Sequence, residues 1–155
     1  MRTWRLMALV CAAWLLHRSA TEWGSFGFSL DEAQAFFPEA ARLMPADGAT
    51  LAVKDSAGAS LGLLVQTSPQ SDSVVGYAGP SNLWVALDNG MRVVGLRVLE
   101  SADTPAHVER LQRDSAFEKS LVGWKPAIDQ PPKVEGAAGS TLTALAMVEG
   151  ISQRM

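Results

Sequence analysis

A run of small and hydroxyl residues, EGAAGSTLT, occupies positions 135–143 and leads directly into an apolar pattern with helical spacing. A loop of small residues at the start of a helix lets backbone N–H groups approach a phosphate, and the helix dipole favours its negative charge. Ser140, Thr141 and Thr143 would place hydroxyl groups beside that phosphate. The run indicates either a phosphate-binding loop or an ordinary helix start in which Ser or Thr serves only as the N-cap.

The same run resembles the flavin-attachment motif of the FMN-binding domain family. In that family an acidic residue, small residues, a Gly and two Thr follow in this order, and the last Thr carries FMN through a phosphoester bond. The resemblance implies that FMN is covalently attached at Thr143, beside Gly139, Ser140 and Thr141. Three motif positions hold residues that are less common in the family: Glu135, Ala138 and Ser140.

Three other segments resemble landmarks of the same family and occur in the same order: FPEA at 37–40, GYAGP at 76–80 and DTP at 103–105. They are most similar to the branch found in the nitrous-oxide-reductase regulator and in the Rnf and sodium-pumping quinone reductase complexes. Because several segments match in order, the resemblance extends over most of residues 30–155.

Two of these segments supply further candidates for the flavin site. Tyr77 is a large ring in a glycine-containing loop, an unusual choice for a plain turn, and we expect it to shape the flavin pocket. Asp103 stands where family members often carry Glu, so the resemblance implies that Asp103 and Thr104 contact the cofactor. A carboxylate at a helix start is equally a helix cap, and both roles stay open.

We expect different roles for the remaining aromatic residues and the histidine. Trp124 is a candidate to stack on the isoalloxazine ring, since aromatic faces suit planar apolar ligands. Trp84 stands beside Val85 in a strand pattern and is assigned to the core. His107 is the only histidine outside the N-terminal segment, which excludes a metal site with two histidines, and we interpret it as a solvated helix residue.

Composition restricts the class of protein. A chain of 155 residues with 48% hydrophobic content suits a single compact domain. The net charge of −3 and the scattered Lys and Arg residues provide no basic surface for nucleic acid. The only cysteine, Cys11, lies in the N-terminal apolar run, so the folded part can have neither a disulfide nor a cysteine-ligated cluster. Redox chemistry therefore requires an organic cofactor.

The N-terminus has the pattern of a targeting segment. Arg2 and Arg5 precede an uncharged stretch at positions 6–16, as in an export signal. The stretch is shorter than the roughly 20 residues that span a bilayer, and a cleaved signal, a retained anchor and a buried helix stay open. We expect residues 1–20 to be an export signal or membrane anchor. Residues 21–155 would then form an FMN-binding domain on the periplasmic or extracytoplasmic face of the membrane.

Two hairpins are predicted in the middle of the chain. Residues 50–54 and 60–67 flank a turn that contains Gly58. Residues 83–88 and 91–99 are joined by Asn-Gly, which favours a type I′ turn. The two hairpins predict an antiparallel sheet.

Helices are predicted on either side of the hairpins. The first starts at a capping box formed by Ser29 and Glu32. Pro38 is predicted to end or kink it, with a continuation to a stop at Pro45. A second follows Thr104, and a third starts at a second capping box at positions 115–118. The last should run from 143 to 153, with Thr141 as its cap. Leu145, Val148 and Ile151 lie roughly on one side, and Ile151 with either Leu145 or Val148 is predicted to face the core. The expected fold is a single α+β domain, an antiparallel sheet of two hairpins with flanking helices.

The resemblance implies an extracytoplasmic flavoprotein that carries electrons between membrane electron-transfer proteins. Its FMN would be attached by a separate flavin transferase that takes FMN from FAD, so the chain would be a redox carrier and not a stand-alone enzyme. Two alternatives stay open. One is a non-catalytic sensory or assembly domain that binds flavin or a related ligand and regulates a membrane partner. The other is an exported structural domain whose pocket has lost the flavin.

Overall fold

The computed structural model of the protein describes residues 27–134 and 139–155. Its elements follow in the order α1 (Leu30–Gln34), β1 (Arg42–Pro45), β2 (Thr50–Lys54), β3 (Ser60–Gln66), β4 (Ser81–Asp88), β5 (Val93–Ser101), α2 (Pro105–Arg113), α3 (Ser115–Leu121) and α4 (Thr141–Arg154). Strands and helices in separate runs form an α+β domain, so the predicted fold class is confirmed. The predicted targeting segment, residues 1–20, and the motif positions Glu135 and Ala138 lie outside the described residues.

The five strands form one sheet in the order β1-β2-β3-β4-β5, and every strand is antiparallel to its neighbours. Both predicted hairpins are present, since β2 pairs with β3 and β4 pairs with β5. The loop between the hairpins does not separate them, because β3 also pairs with β4. The sheet is therefore a single meander with β1 and β5 at its edges.

The first helix is shorter than predicted. Ser29 caps it as expected, because its Oγ accepts from Glu32 N and its own N–H donates to the Glu32 carboxylate. The helix ends before Pro38, which cannot donate to a preceding turn. The expected continuation to Pro45 is wrong, because these residues form β1 and pair with β2. Pro45 is tolerated at the end of this edge strand, where no ladder donor is needed.

The turn between β4 and β5 also differs from the prediction. Asp88 O accepts from Met91 N, and Met91 has a φ of 59°. Asn89 and Gly90 do not have the two positive φ angles of a type I′ turn, so that turn type is wrong. The Asp88 carboxylate stabilises the observed turn, because its Oδ1 accepts from Gly90 N at 2.8 Å and from Arg92 N at 2.9 Å.

Side chains of β4 alternate between two cores on opposite faces of the sheet. Leu83, Val85 and Leu87 pack with buried residues of α2, α3 and α4. Trp84 and Ala86 pack with residues of α1 and the segment after it. Trp84 is fully buried, which confirms its assignment to the core. The three C-terminal helices therefore share one face of the sheet.

The last helix, α4, begins two residues earlier than predicted. Ser140 occupies the N-cap position and Thr141 is the first helical residue, so the prediction that Thr141 is the cap is wrong. Val148 and Ile151 are buried, which confirms the prediction, and of the two alternatives Leu145 is the exposed one. Leu145 lies beside the buried row, whose members recur every three or four residues: Ala144, Met147, Val148 and Ile151. Within residues 27–134 and 139–155, no helix has both the length and the apolar character that crossing a bilayer requires.

Candidate functional site

Asp103 and Thr143 form the centre of the candidate site. Asp103 lies between the end of β5 and the start of α2, and Thr143 lies in the first turn of α4. The Thr143 hydroxyl donates a hydrogen bond of 2.6 Å to Asp103 Oδ2. Only 4% of Asp103 and 1% of Thr143 are exposed. The bond therefore ties the end of the sheet to the start of the last helix in a place that water reaches poorly.

The Asp103 carboxylate also holds the loop before β4. Oδ2 accepts from Tyr77 N at 3.0 Å, and Oδ1 accepts from Ala78 N at 2.9 Å and from Thr104 N at 2.7 Å. The backbone of Gly76 comes so close that a Cβ there would overlap Asp103 Oδ2. The glycine at position 76 is therefore required by this close approach, and one carboxylate joins three segments of the chain.

The hydrogen bonds decide the charge of Asp103. Burial raises the pKa of Asp103, but the bonds from the Thr143 hydroxyl and from three backbone N–H groups lower it by more. The net pKa lies below its ordinary value of 3.8, so the carboxylate is ionised at neutral pH. An ionised carboxylate can only accept hydrogen bonds. The hydroxyl hydrogen of Thr143 must therefore lie on the side of Asp103.

A pocket of about 340 Å³ lies beside this pair. Its wall consists of residues from three segments: Tyr77, His107, Gly139, Ser140, Thr141, Leu142 and Thr143. The Tyr77 ring meets the His107 ring edge-on, with the centroids 5.1 Å apart and an interplanar angle of 78°. Tyr77 is 64% exposed, so the pocket presents an aromatic surface to the outside. Such a surface suits a planar, largely apolar ligand.

Two polar atoms of the pocket wall are buried without a hydrogen-bond partner among the described residues: Ser140 Oγ and His107 Nδ1. An unpaired buried polar group costs about 1–3 kcal/mol, and such a group can mark a place where a ligand completes the bonding. Ser140 is 1% exposed and precedes the first turn of α4, whose N–H groups have no acceptor within the helix. The combination suits a phosphate, which would accept from the hydroxyl and from the helix N-terminus.

The loop backbone at Gly139 is adapted to a close approach by Arg110. Gly139 has a φ of 86°, in the left-handed region that glycine adopts without strain. A Cβ at this position would lie 2.7 Å from Arg110 Nη1. The guanidinium of α2 therefore packs directly against the loop, and it adds positive charge near the start of α4.

Three predicted site residues are not part of this pocket wall: Asp103, Thr104 and Trp124. Thr104 is adjacent to Asp103 and donates its backbone N–H to the carboxylate, but its hydroxyl makes no cap bond. Trp124 is buried in the core beneath the helices, and its carbonyl accepts from Val93 N at the opposite end of β5 from Asp103. The structure thus brings Tyr77 and Asp103 close to the start of α4, but Trp124 lies away from them.

Sequence reasoning missed two residues of α2 that border the site. The interpretation of His107 as a solvated residue is wrong, because His107 packs against Tyr77 and its Nδ1 is buried. Arg110 lies three positions further along the helix, and residues with this spacing share one face. The sequence did contain one signal for them: His107 and Arg110 share one face of a helix that starts directly after Asp103.

Comparison with known proteins identifies a family whose model spans the pocket. The model of the FMN-binding domain family matches residues 76–154, half of the chain and every residue of the pocket wall. Over 89 residues the chain is 32% identical to a protein of Stutzerimonas stutzeri that is named as a subunit of the ion-translocating oxidoreductase complex. This match covers 51% of the chain and 39% of the relative, so the chain spans well under half of that protein's length.

Proposed function

The chain belongs to the FMN-binding domain family, and on that premise we propose that it is an electron carrier with FMN attached to Thr143 through a phosphoester bond. The observation that carries the proposal is the position of the Thr143 hydroxyl. It lies in the first turn of α4, borders the pocket and is held by Asp103. A phosphate bonded there would lie beside the helix N-terminus, where its charge is stabilised.

The residues of the pocket fit such a group. Ser140 Oγ is a buried donor without a partner among the described residues, and the guanidinium of Arg110, outside the pocket wall, supplies positive charge next to Gly139. Tyr77 and Leu142 expose apolar surface next to the phosphate position, where a flat ring system can lie. When bound, a flavin supplies reversible electron transfer, and the protein supplies its position and its surroundings.

The partners and the location belong to the same proposal. The relative from Stutzerimonas stutzeri is named as part of an ion-translocating oxidoreductase complex, which supports membrane electron-transfer proteins as donor and acceptor. The charge and apolar pattern of residues 1–20 supports export or anchoring, with residues 21–155 as the flavin domain on the periplasmic or extracytoplasmic face. Covalent linkage suits that location, because a dissociable cofactor is lost where free flavin is dilute. A separate flavin transferase would attach FMN from FAD.

Co-expression with a flavin transferase tests the attachment. The full chain should gain the mass of one FMN and should keep flavin fluorescence after denaturation. Thr143→Ala should remove both signals. Thr141→Ala removes a neighbouring hydroxyl of the pocket wall that is not the proposed acceptor, so it should reduce both signals only partly. Absence of flavin on the parent protein would contradict the attachment and would favour a domain whose pocket no longer holds flavin.

Redox cycling separates a carrier from a sensory or assembly domain. The loaded protein should be reduced and reoxidised by membrane fractions that contain its donor and acceptor. The measurement is the flavin absorbance during turnover, with the Thr143→Ala protein as the blank. A flavin that stays in one redox state with every membrane fraction would contradict the carrier and favour a regulatory domain.

A further inference from the structure

We propose that Asp103 is the base for flavin attachment, removing the hydroxyl proton of Thr143 as that oxygen bonds to the flavin phosphate. The inference rests on the proposed attachment at Thr143 and adds a chemical role for a second residue of this chain. It starts from the buried hydrogen bond of 2.6 Å between Thr143 Oγ1 and Asp103 Oδ2. Distances of about 2.5–2.7 Å are typical of a hydroxyl that donates to an ionised carboxylate.

The carboxylate is held in place by its other hydrogen bonds. Oδ1 accepts from Ala78 N and Thr104 N, and Oδ2 accepts from Tyr77 N as well as from the hydroxyl. Asp103 therefore cannot rotate away from Thr143 without breaking bonds to the backbone. A base that is fixed before the reaction does not have to be ordered during it.

The charge of Asp103 determines that the proton moves from Thr143 to Asp103. The pKa of Asp103 lies below its ordinary value, so the carboxylate accepts and Thr143 donates at neutral pH. The lone pairs of Oγ1 are then available to a phosphorus atom that enters the pocket bordered by Thr143. An ionised carboxylate of low pKa is a weak base for a free alcohol. The proton therefore transfers as the new bond forms, when the acidity of the hydroxyl rises.

The step balances with FAD as the donor. Thr143 Oγ attacks the phosphorus atom of the FMN half, and a new Oγ–P bond forms. The P–O bond to the AMP half breaks, and its electron pair leaves with AMP. The hydroxyl proton passes to the Asp103 carboxylate and then to the solvent. No atom is oxidised or reduced, and the products are the phosphothreonyl flavin ester and AMP.

A purely structural role for Asp103 makes different predictions. The carboxylate joins the loop before β4 to α2, so its loss can disturb the pocket without any role in proton transfer. In Asp103→Asn, the amide oxygen keeps one set of bonds, but the amide nitrogen is a donor and faces Thr143 Oγ1. The hydroxyl must then turn its hydrogen elsewhere. A base role therefore predicts a defect that rising pH relieves, because hydroxide replaces the missing base.

The experiment measures the rate of attachment to the full chain by intact mass, with purified flavin transferase and FAD. Asp103→Asn should be labelled at least about 100-fold more slowly than the parent. The ratio of parent to variant rates should fall as the pH rises from about 6 to about 9, since the transferase is common to both proteins. Asp88→Asn is the matched control, because Asp88 also accepts from two backbone N–H groups but lies at the other end of the sheet. Its rate should stay within about twofold of the parent's.

A second pair of variants tests the base role if Asp103→Asn does not fold. Asp103→Glu retains a carboxylate and Asp103→Gln has the same length without one, so the Glu variant should be labelled at least about 100-fold faster. Proton NMR of the flavin-free protein gives a reading without the transferase. The Thr143 hydroxyl proton should be detectable in the parent and shifted or lost in Asp103→Asn.

The outcomes separate the two proposals. Equal labelling of Asp103→Asn and the parent, or of the Glu and Gln variants, would overturn the role of Asp103 and leave attachment at Thr143 intact. A slow Asp103→Asn variant whose rate ratio does not change with pH would also overturn it, in favour of a structural role. No labelling of the parent would instead contradict the proposed function itself.

Discussion

Thr143 and Asp103 are 40 residues apart in the sequence and share a buried hydrogen bond of 2.6 Å. The bond joins the first turn of α4 to the end of β5, so the attachment residue proposed here is also part of the packing of the domain. Chemistry and stability therefore depend on the same contact. Variants of these residues should be measured for both.

Thr143→Ala should lower the free energy of unfolding of the flavin-free protein by about 1.5–3 kcal/mol, because a hydrogen bond to a charged group is lost in a buried place. Thr143→Ser keeps the hydroxyl, so its free energy of unfolding should fall by less. Urea unfolding of the three proteins measures the difference. A Thr143→Ala protein as stable as the parent would mean that this hydrogen bond contributes nothing.

The pH dependence of stability should report on Asp103. Its folded pKa is lowered, so its contribution is fully present above the ordinary value of 3.8 and is lost as the pH falls through the folded pKa. Thr143→Ala removes one of the bonds that lower this pKa. The stability gap between the parent and Thr143→Ala should therefore narrow as the pH falls below about 3.8. Urea unfolding of both proteins from neutral to acidic pH measures this gap. A difference in free energy of unfolding that stays constant over this range would contradict the prediction.

Ser140→Ala should change stability and phosphate binding in opposite ways. Ser140 Oγ is buried without a partner among the described residues, so its removal should leave the flavin-free protein equally stable or slightly more stable. The same variant should bind inorganic phosphate more weakly and accept flavin more slowly. Ser29→Ala is the matched control, because Ser29 Oγ accepts from Glu32 N and its loss should cost about 1 kcal/mol. Destabilisation of Ser140→Ala by a similar amount would indicate a plain cap.

Gly139→Ala should impair attachment more than its backbone strain explains. An alanine at this φ of 86° costs about 1–2 kcal/mol, and its Cβ would displace Arg110. Gly58→Ala in the β2–β3 turn, with a φ of 88°, carries similar strain without that contact. Both variants should lose similar stability in urea, but only Gly139→Ala should be labelled slowly by the transferase. Equal labelling of the two would argue against a role for the loop geometry.

The sequence identified the parts of the site that are contiguous. Gly139, Ser140 and Thr143 occur in one short run, and a small-residue loop before a helix has a direct physical meaning. The hairpins were also predictable, because their turns and strand patterns are local signals. Asp103 was a candidate, but its bond to Thr143 depends on sheet order and helix packing. No local pattern encodes that contact.

The errors at the site have different causes. Thr141 was expected to be the cap, although Ser140 lies one position earlier and both residue types cap helices. His107 was interpreted as solvated because one histidine on a helix has no pattern that reveals its neighbours. Trp124 was a candidate by residue type alone, and the structure places it in the core at the far end of β5. Contacts between distant segments therefore account for the errors at His107 and Trp124.

Peptide mapping of the flavin-loaded protein tests the central proposal most directly. The full chain would be co-expressed with a flavin transferase, digested and analysed by tandem mass spectrometry of the peptide that spans residues 139–154. We expect one FMN on Thr143 and unmodified side chains at Ser140 and Thr141. A flavin mapped to Ser140 or Thr141, or a peptide without flavin, would contradict attachment at Thr143.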